Sequence, residues 1–464
     1  MRGGIRGLVA KHPTAWLAAV IGVAFLLLAT SAVFAGVAAG SGSSVAAPIP
    51  SESAAPPRPQ PSIVPAASRL RTCSVAGLAA DPALADLSGY VINANTGEAL
   101  FDRGGTVAQR PASILKTLTA AAALKVLGPD YRLTTSVIDG SSPGTIVLVG
   151  RGDPTLSTSP NSFYEGAPLI QDLADAARQA YALKHPADPI TNVVLDATMW
   201  DPGDNWDDTW PTSERTEGYQ SLVTALMVDG DRADPTQSVS GRGTDPVGDA
   251  GEAFVSALGI AGVTLSTGAA VGTTVLASVQ SQPVSVLIPQ MLLTSDNTLA
   301  EMLARVTSKV AGFDGSSASL DLVIPDALSQ LGLQETNTLT IRDGSGLSDA
   351  NAVTPRFVTQ LMSMARANTN GLGLIYSGMP VGGESGDLYN RFDGANSIAA
   401  GAVVAKPGWL ATEWSLGGIV NAADGTPLAF AFYAIRDGIT RDARAALDTL
   451  TTGIFSCGDN LSNN

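Results

Sequence analysis

Two side chains one helical turn apart, Ser113 and Lys116, are the pair in this 464-residue chain best suited to nucleophilic chemistry. Residues three apart share one face of a helix. Pro111 suits a first turn and Gly128-Pro129 is a stop signal, so the sequence predicts a helix over about 111–127 with both residues at its N-terminal end. There the unpaired backbone N–H groups and the helix dipole favour negative charge, and a lysine amine can take the proton from the hydroxyl. A serine activated in this way needs no histidine. Taken alone, the spacing equally describes an ordinary helix start with one exposed lysine.

Two short motifs lie far downstream, Ser295-Asp-Asn297 and Lys406-Pro-Gly408. The Ser-x-Asn pattern also occurs at Ser159-Pro-Asn161 and Ser462-Asn-Asn464, to which no role is assigned. The chain has only two histidines; His12 lies in a basic leader and His185 sits beside Pro186, so a Ser-His-Asp machine is not expected. With two cysteines and so little histidine, neither is a Cys/His zinc site; no metal and no cofactor are expected. A net charge of −15 argues against nucleic acid as a ligand.

Positioning these residues requires elements from distant stretches of the chain. A hairpin is expected over 89–101 around Asn95-Thr-Gly97, just before the serine helix. The Ser295 loop falls between helical patterns at 283–293 and 299–310. Strands are expected at 402–410, 414–420 and 428–435, followed by a helix near 441–451. Between Ser113 and Ser295, residues 134–280 read as an insertion. It holds strands at 145–149 and 192–197, a helix near 169–183, a Trp- and Asp-rich loop at 199–210, a helix at 251–258 and a strand-like stretch at 263–279. The fold class is α/β (α+β), an antiparallel meander flanked by helices with an inserted mainly β or mixed domain.

At the N-terminus, Arg2, Arg6 and Lys11 precede an apolar stretch of 22 residues, 16–37, long enough to span a bilayer as a helix. It reads as a retained anchor with the body outside the cytoplasm; a cleaved signal peptide ending near Val33-Phe-Ala35 is the alternative. The expected partition places a leader and anchor at 1–39 and a Pro/Ser/Ala-rich linker at 40–70. The catalytic domain follows in two segments, 71–133 and 281–459, on either side of the insertion 134–280, and 460–464 is a tail. Cys73 and Cys457, near the ends of the folded body, are expected to pair; two separate buried thiols are the alternative.

In order and context, Ser113-Ile-Leu-Lys116, Ser295-Asp-Asn297 and Lys406-Pro-Gly408 resemble the serine penicillin-binding proteins and serine β-lactamases. Gly152-Asp-Pro154, Asp343-Gly-Ser-Gly-Leu-Ser348, Val353-Thr-Pro355 and Asn390-Arg-Phe392 narrow the resemblance to the D-alanyl-D-alanine carboxypeptidase/endopeptidase family of low-molecular-mass penicillin-binding proteins, over about residues 75–455. It implies a transpeptidase-like fold and a serine DD-peptidase acting on peptidoglycan stem peptides and acylated by β-lactams. Ser113 would be the nucleophile and Lys116, with its pKa depressed by burial and nearby positive charge, the general base. Ser295 would relay a proton to the leaving amine, Lys406 would shape the field, and Asn297 would bind the substrate amide. The backbone N–H groups of Ser113 and of Trp409, which follows Gly408, would form the oxyanion hole.

Non-catalytic readings are a helix cap for Ser295, a turn residue for Asn297 and a solvated strand lysine for Lys406. Asp153 and Asp343 read as turn-formers. One departure stands out: the family usually has Thr or Ser, whose hydroxyl helps hold the substrate's terminal carboxylate, where this chain has Pro407. A catalytically impaired wall-binding protein is therefore the alternative function, and a β-lactamase a third.

Overall fold

The structure, a computed structural model, describes residues 70–463. The expected leader and anchor, 1–39, and the linker up to residue 69 lie outside the described residues. Among the described residues no helix is long and apolar enough to cross a membrane.

The longer elements begin with β1 (Asp86–Asn93), β2 (Ala99–Arg103) and α1 (Leu115–Val126). There follow β3 (Arg132–Asp139), β4 (Thr145–Gly150), α2 (Ile170–Lys184), β5 (Asn192–Asp196), α3 (Pro246–Leu258), β6 (Thr264–Thr267) and β7 (Val275–Pro283). The chain closes with α4 (Val284–Thr294), α5 (Asn297–Val310), α6 (Leu320–Gln330), α7 (Pro355–Arg366), β8 (Val403–Leu410), β9 (Glu413–Asn421), β10 (Pro427–Ile435) and α8 (Asp442–Cys457).

One sheet has the order β2-β1-β10-β9-β8 and is antiparallel throughout. It joins the hairpin from the start of the chain to the meander from its end. Strand β10 is buried along all but its last residue, which is why its sequence is a nearly unbroken apolar run rather than an alternating one. Helix α1 is buried from Leu115 to Leu124, so it too lacks a polar face. Its alanines, Ala120 to Ala123, leave room for close packing on every side.

A second sheet has the order β6-β5-β4-β3-β7, with β4, β5 and β6 parallel and β3 antiparallel to both its neighbours. The strand-like stretch expected at 263–279 is two strands on opposite edges of this sheet. The break lies between them, where Gly272 takes φ +130° and a Cβ would overlap the Asp139 carbonyl. The sheet is entered and left through neighbours, Arg132 standing opposite Pro283.

The two ends of the folded body meet as expected: Cys73 and Cys457 form a disulfide with Cα atoms 5.4 Å apart, 384 positions apart in sequence. Beside it Cys73 and Ser74 pair in parallel with Leu461 and Ser462.

Candidate active site

The turn carrying Ser113 is held from two sides. Ser113 lies in a 3₁₀ turn, Ala112–Ile114, that runs directly into α1. Ala112 adopts φ +45°, a left-handed conformation that disfavours any residue with a Cβ by roughly 1–2 kcal/mol. From the sheet, Ser415 Oγ donates to the Pro111 carbonyl at 2.9 Å. Gly408 on β8 packs so close that a Cβ would lie 2.8 Å from Ala112 Cβ and 3.0 Å from Ser113 N. From the other side, Gly346 sits against the Ala112 carbonyl, where a Cβ would overlap it.

Lys116 is fully buried and its Nζ has three acceptors: Ser113 Oγ at 2.9 Å, Asn297 Oδ1 at 2.6 Å and the Ser345 carbonyl at 2.7 Å. Burial, then the Lys406 ammonium, pulls its pKa down to about 7; Asp343, Glu301 and Asp296 act the other way. Because a donor fixes Asn297 Oδ1 toward Lys116, the amide N–H₂ of Asn297 is the end left for a ligand.

Ser295 closes α4 in the left-handed region at φ +56°, and Asp296 caps α5 by accepting from Leu299 N at 3.0 Å. Ser295 shares a small cavity with Asn297, Tyr219, Arg232 and Arg242. Among the described residues no hydrogen bond joins it to Ser113, Lys116 or Lys406. Lys406 is buried on β8, with Nζ donating to the Pro407 carbonyl at 3.0 Å and to Asp387 Oδ2 at 3.3 Å. Burial lowers its pKa, against the pull of Asp387.

Strand β8 is the edge of its sheet, and the segment before it covers only the first half of that edge. Ala405 N donates outward to the Pro380 carbonyl at 3.0 Å, and Gly382 N to the Val403 carbonyl at 2.8 Å. Strand alternation then turns positions 407 and 409 outward as well. Pro407 removes no ladder hydrogen bond, and the Trp409 N–H points away from β9, past the close contact of Gly408 with Ser113 N. Ser113 N and Trp409 N thus lie on the open side of the edge, beside the nucleophile. The Trp409 side chain is 51% exposed.

Several residues beyond the expected site residues hold the site. Glu301 on α5 accepts from Gly344 N and Ser345 N, at 3.0 and 2.7 Å, and so fixes the carbonyl that receives Lys116. Asp343, the turn-former, accepts from Gly346 N, Ser348 N, Asn351 Nδ2 and Trp210 Nε1. Asp153 is likewise a turn residue, accepting from Thr155 N and Oγ1. Asp296 binds Arg232 Nη2 and the Tyr164 hydroxyl, each at 2.9 Å.

Residues 72–243 and 232–454 match the model of the D-Ala-D-Ala carboxypeptidase 3 (S13) family. The chain belongs to that family. It is 34% identical to Carboxypeptidase DacB of Mycolicibacterium smegmatis over 467 residues, covering 96% of this chain and 99% of that one. The D-alanyl-D-alanine carboxypeptidase of an Actinomadura species is 30% identical over 445 residues, covering 79% and 81% of the two chains. Penicillin-binding protein 4 of Haemophilus influenzae, a crystal structure, superposes with a TM-score of 0.66 at 19% identity over 82% of this chain and 98% of that one. The penicillin-binding-protein-like fold implied by the sequence resemblance is therefore the one adopted.

Proposed function

We propose that this chain is a serine DD-peptidase, a D-Ala-D-Ala carboxypeptidase or endopeptidase, which cleaves peptidoglycan stem peptides through an acyl-enzyme on Ser113 and is acylated there by β-lactams. The observation that carries the reading is the triple contact of Lys116 Nζ with Ser113 Oγ, Asn297 Oδ1 and the Ser345 carbonyl. Two of these partners can only accept. A neutral amine keeps both by donating its two protons to them, and its lone pair then faces the Ser113 hydroxyl. With a pKa of about 7, Lys116 is available as that neutral amine near neutral pH.

Lys116 takes the Ser113 proton as Oγ attacks the carbonyl carbon of the penultimate D-alanine. The oxyanion is met by the N–H groups of Ser113 and Trp409; each such donor is worth about 10²–10³ in rate. The C–N bond breaks, the leaving amine receives a proton through Ser295, and water then splits the Ser113 ester. Lys406 supports the positive field and the Asn297 amide orients the acyl chain. Glu301 is not placed as a deacylating base, since its carboxylate is occupied by two backbone N–H groups, which favours the peptidase over a β-lactamase.

The basic leader and the apolar stretch 16–37 support export with anchoring at the membrane, the catalytic body facing the wall. The test compares wild type with Ser113→Ala. A fluorescent penicillin should label only the wild type, which should also release the C-terminal residue of a stem pentapeptide analogue. Labelling without release would favour the wall-binding alternative, and absence of both would refute the proposal.

A further inference from the structure

We infer that Glu413 is a positioning residue for the turn that carries Ser113: its carboxyl and the Pro111 carbonyl compete for the single proton of Ser415. The inference rests on the DD-peptidase reading above and concerns how that same nucleophile is held. Glu413 and Ser415 alternate along β9, so their side chains share one face of the sheet, and both are wholly buried. Ser415 stands opposite Gly408 on β8 and Tyr433 on β10. Its Oγ gives its only proton to the Pro111 carbonyl at 2.9 Å. That bond ties the sheet to a turn in which Ala112 sits at φ +45°, a conformation kept only where its surroundings enforce it.

Glu413 brings no such bond of its own to the fold. Neither of its oxygens has a hydrogen-bond partner among the described residues, and the same holds for the Tyr433 hydroxyl and for Arg110 Nε. Two ionisable side chains face it, Arg110 from the segment before the turn and Tyr433 from β10. The residues opposite it, Leu410 on β8 and Ile435 on β10, are apolar. Burial drives its pKa well above the usual carboxylate range, against the opposing pull of Arg110 and of the Ser415 hydroxyl. While the carboxyl is neutral, Pro111 keeps the Ser415 proton. On ionisation the carboxyl proton leaves to bulk water and Glu413 becomes the stronger acceptor. The Ser415 O–H then swings about the Cβ–Oγ bond, breaking its contact with Pro111 and donating to Glu413. Pro111 and Ala112 lose their tie to the sheet, and the Ser113 N–H drifts from the Trp409 N–H.

The experiment follows acylation of Ser113 by a fluorescent penicillin from about pH 7 to about pH 10, on the alkaline side of the Lys116 titration, in wild type, Glu413→Gln and Ser415→Ala. The wild-type rate should fall by at least about fivefold as Glu413 ionises, the worth of one hydrogen bond. Glu413→Gln cannot ionise and should hold its rate over the same range. Ser415→Ala has no proton to divert, so it should be slow by about fivefold throughout and free of the fall. Thermal unfolding gives an independent reading. A folded protein that keeps Glu413 neutral must hold a proton that the unfolded chain releases above about pH 4.3. Wild-type stability should therefore drop relative to Glu413→Gln as the pH rises from about 5 to about 8. A wild-type profile without the fall overturns the inference, as does one superposable on that of Glu413→Gln, or a Tm difference that ignores pH. In each of those cases a labelled Ser113 leaves the DD-peptidase reading standing. A wild type that takes no label and releases no D-alanine from a stem pentapeptide analogue refutes that reading instead.

Discussion

Arg232 Nη2 lies 2.9 Å from Asp296 Oδ2, and both side chains are almost wholly withdrawn from water. Between them they tie a residue from the loop connecting the β5 and α3 segments to the triplet that carries Ser295 and Asn297. The Tyr164 hydroxyl donates to the same carboxylate oxygen. Although burial raises the Asp296 pKa, Arg232 and Arg242 hold it below the usual carboxylate range, so the group is charged in the folded protein. Replacing Arg232 by Met strands that charge. We expect a loss of roughly 3–5 kcal/mol of stability, read as a lower Tm, together with slower penicillin acylation because Asn297 loses its footing. An unchanged Tm would show the pair to be incidental.

The rate of acylation should follow the protonation of Lys116. Its pKa is lowered from 10.5 to about 7, so the neutral, proton-accepting form predominates above that pH and is lost below it. Acylation of Ser113 by benzylpenicillin, followed by stopped-flow across pH 5–9, should rise through a step near 7. Lys116→Arg should abolish the step along with the activity, because a guanidinium cannot serve as a base in this range.

Gly408 is expected to tolerate no side chain. In Gly408→Ala the added methyl overlaps Ser415 Oγ and presses on Ala112 Cβ, forcing β8 away from the nucleophile turn. The Ser113 and Trp409 N–H groups proposed as the oxyanion pair then separate, and acylation should fall by about 10²–10³, the cost of losing one donor. Circular dichroism should show the fold retained, since the overlap lies at a sheet edge.

Opening the Cys73–Cys457 disulfide should lower stability without touching the chemistry. The loop it closes is 384 positions long, for which chain entropy sets a ceiling of about 5 kcal/mol. Thermal unfolding of Cys73→Ser with Cys457→Ser should show a reduced Tm, while penicillin labelling at low temperature persists.

Much of the site was legible because its chemistry needs particular side chains at short spacings. Ser113 with Lys116 on one helical turn and Lys406 on a strand are where their local sequence puts them, and Asn297 stands at the first position of α5, two residues before the expected helix start. The residues that hold them were not legible. Arg232 reaches Asp296 across 64 positions and Glu301 reaches Gly344 across 43; Asp296 and Gly344 lie in recognisable motifs, but nothing local says which distant side chain each one meets. The Trp- and Asp-rich loop read only as irregular; in the fold Trp210 Nε1 reaches Asp343, so a stretch without periodicity becomes a brace for the Lys116 acceptor loop. The split of 263–279 into two edge strands was hidden because alternation survives on both sides of the glycines. Pro407 shows the opposite case: an anomaly in a strand was readable as an edge position with an outward nitrogen, and that is how β8 is placed.

The second sheet begins at Arg132 and ends at Pro283, side by side, so everything between hangs from a stalk two strands wide. Such an attachment can be lengthened, trimmed or exchanged without rethreading the sheet beneath the nucleophile. What limits the exchange is the set of anchors it sends back, Tyr164, Asp204, Asp207, Thr209, Trp210, Ser221 and Arg232 among them. A shortened enzyme would have to supply substitutes for these to keep the Ser113 turn in register, and the rest of the appendage would be free to take up a different job.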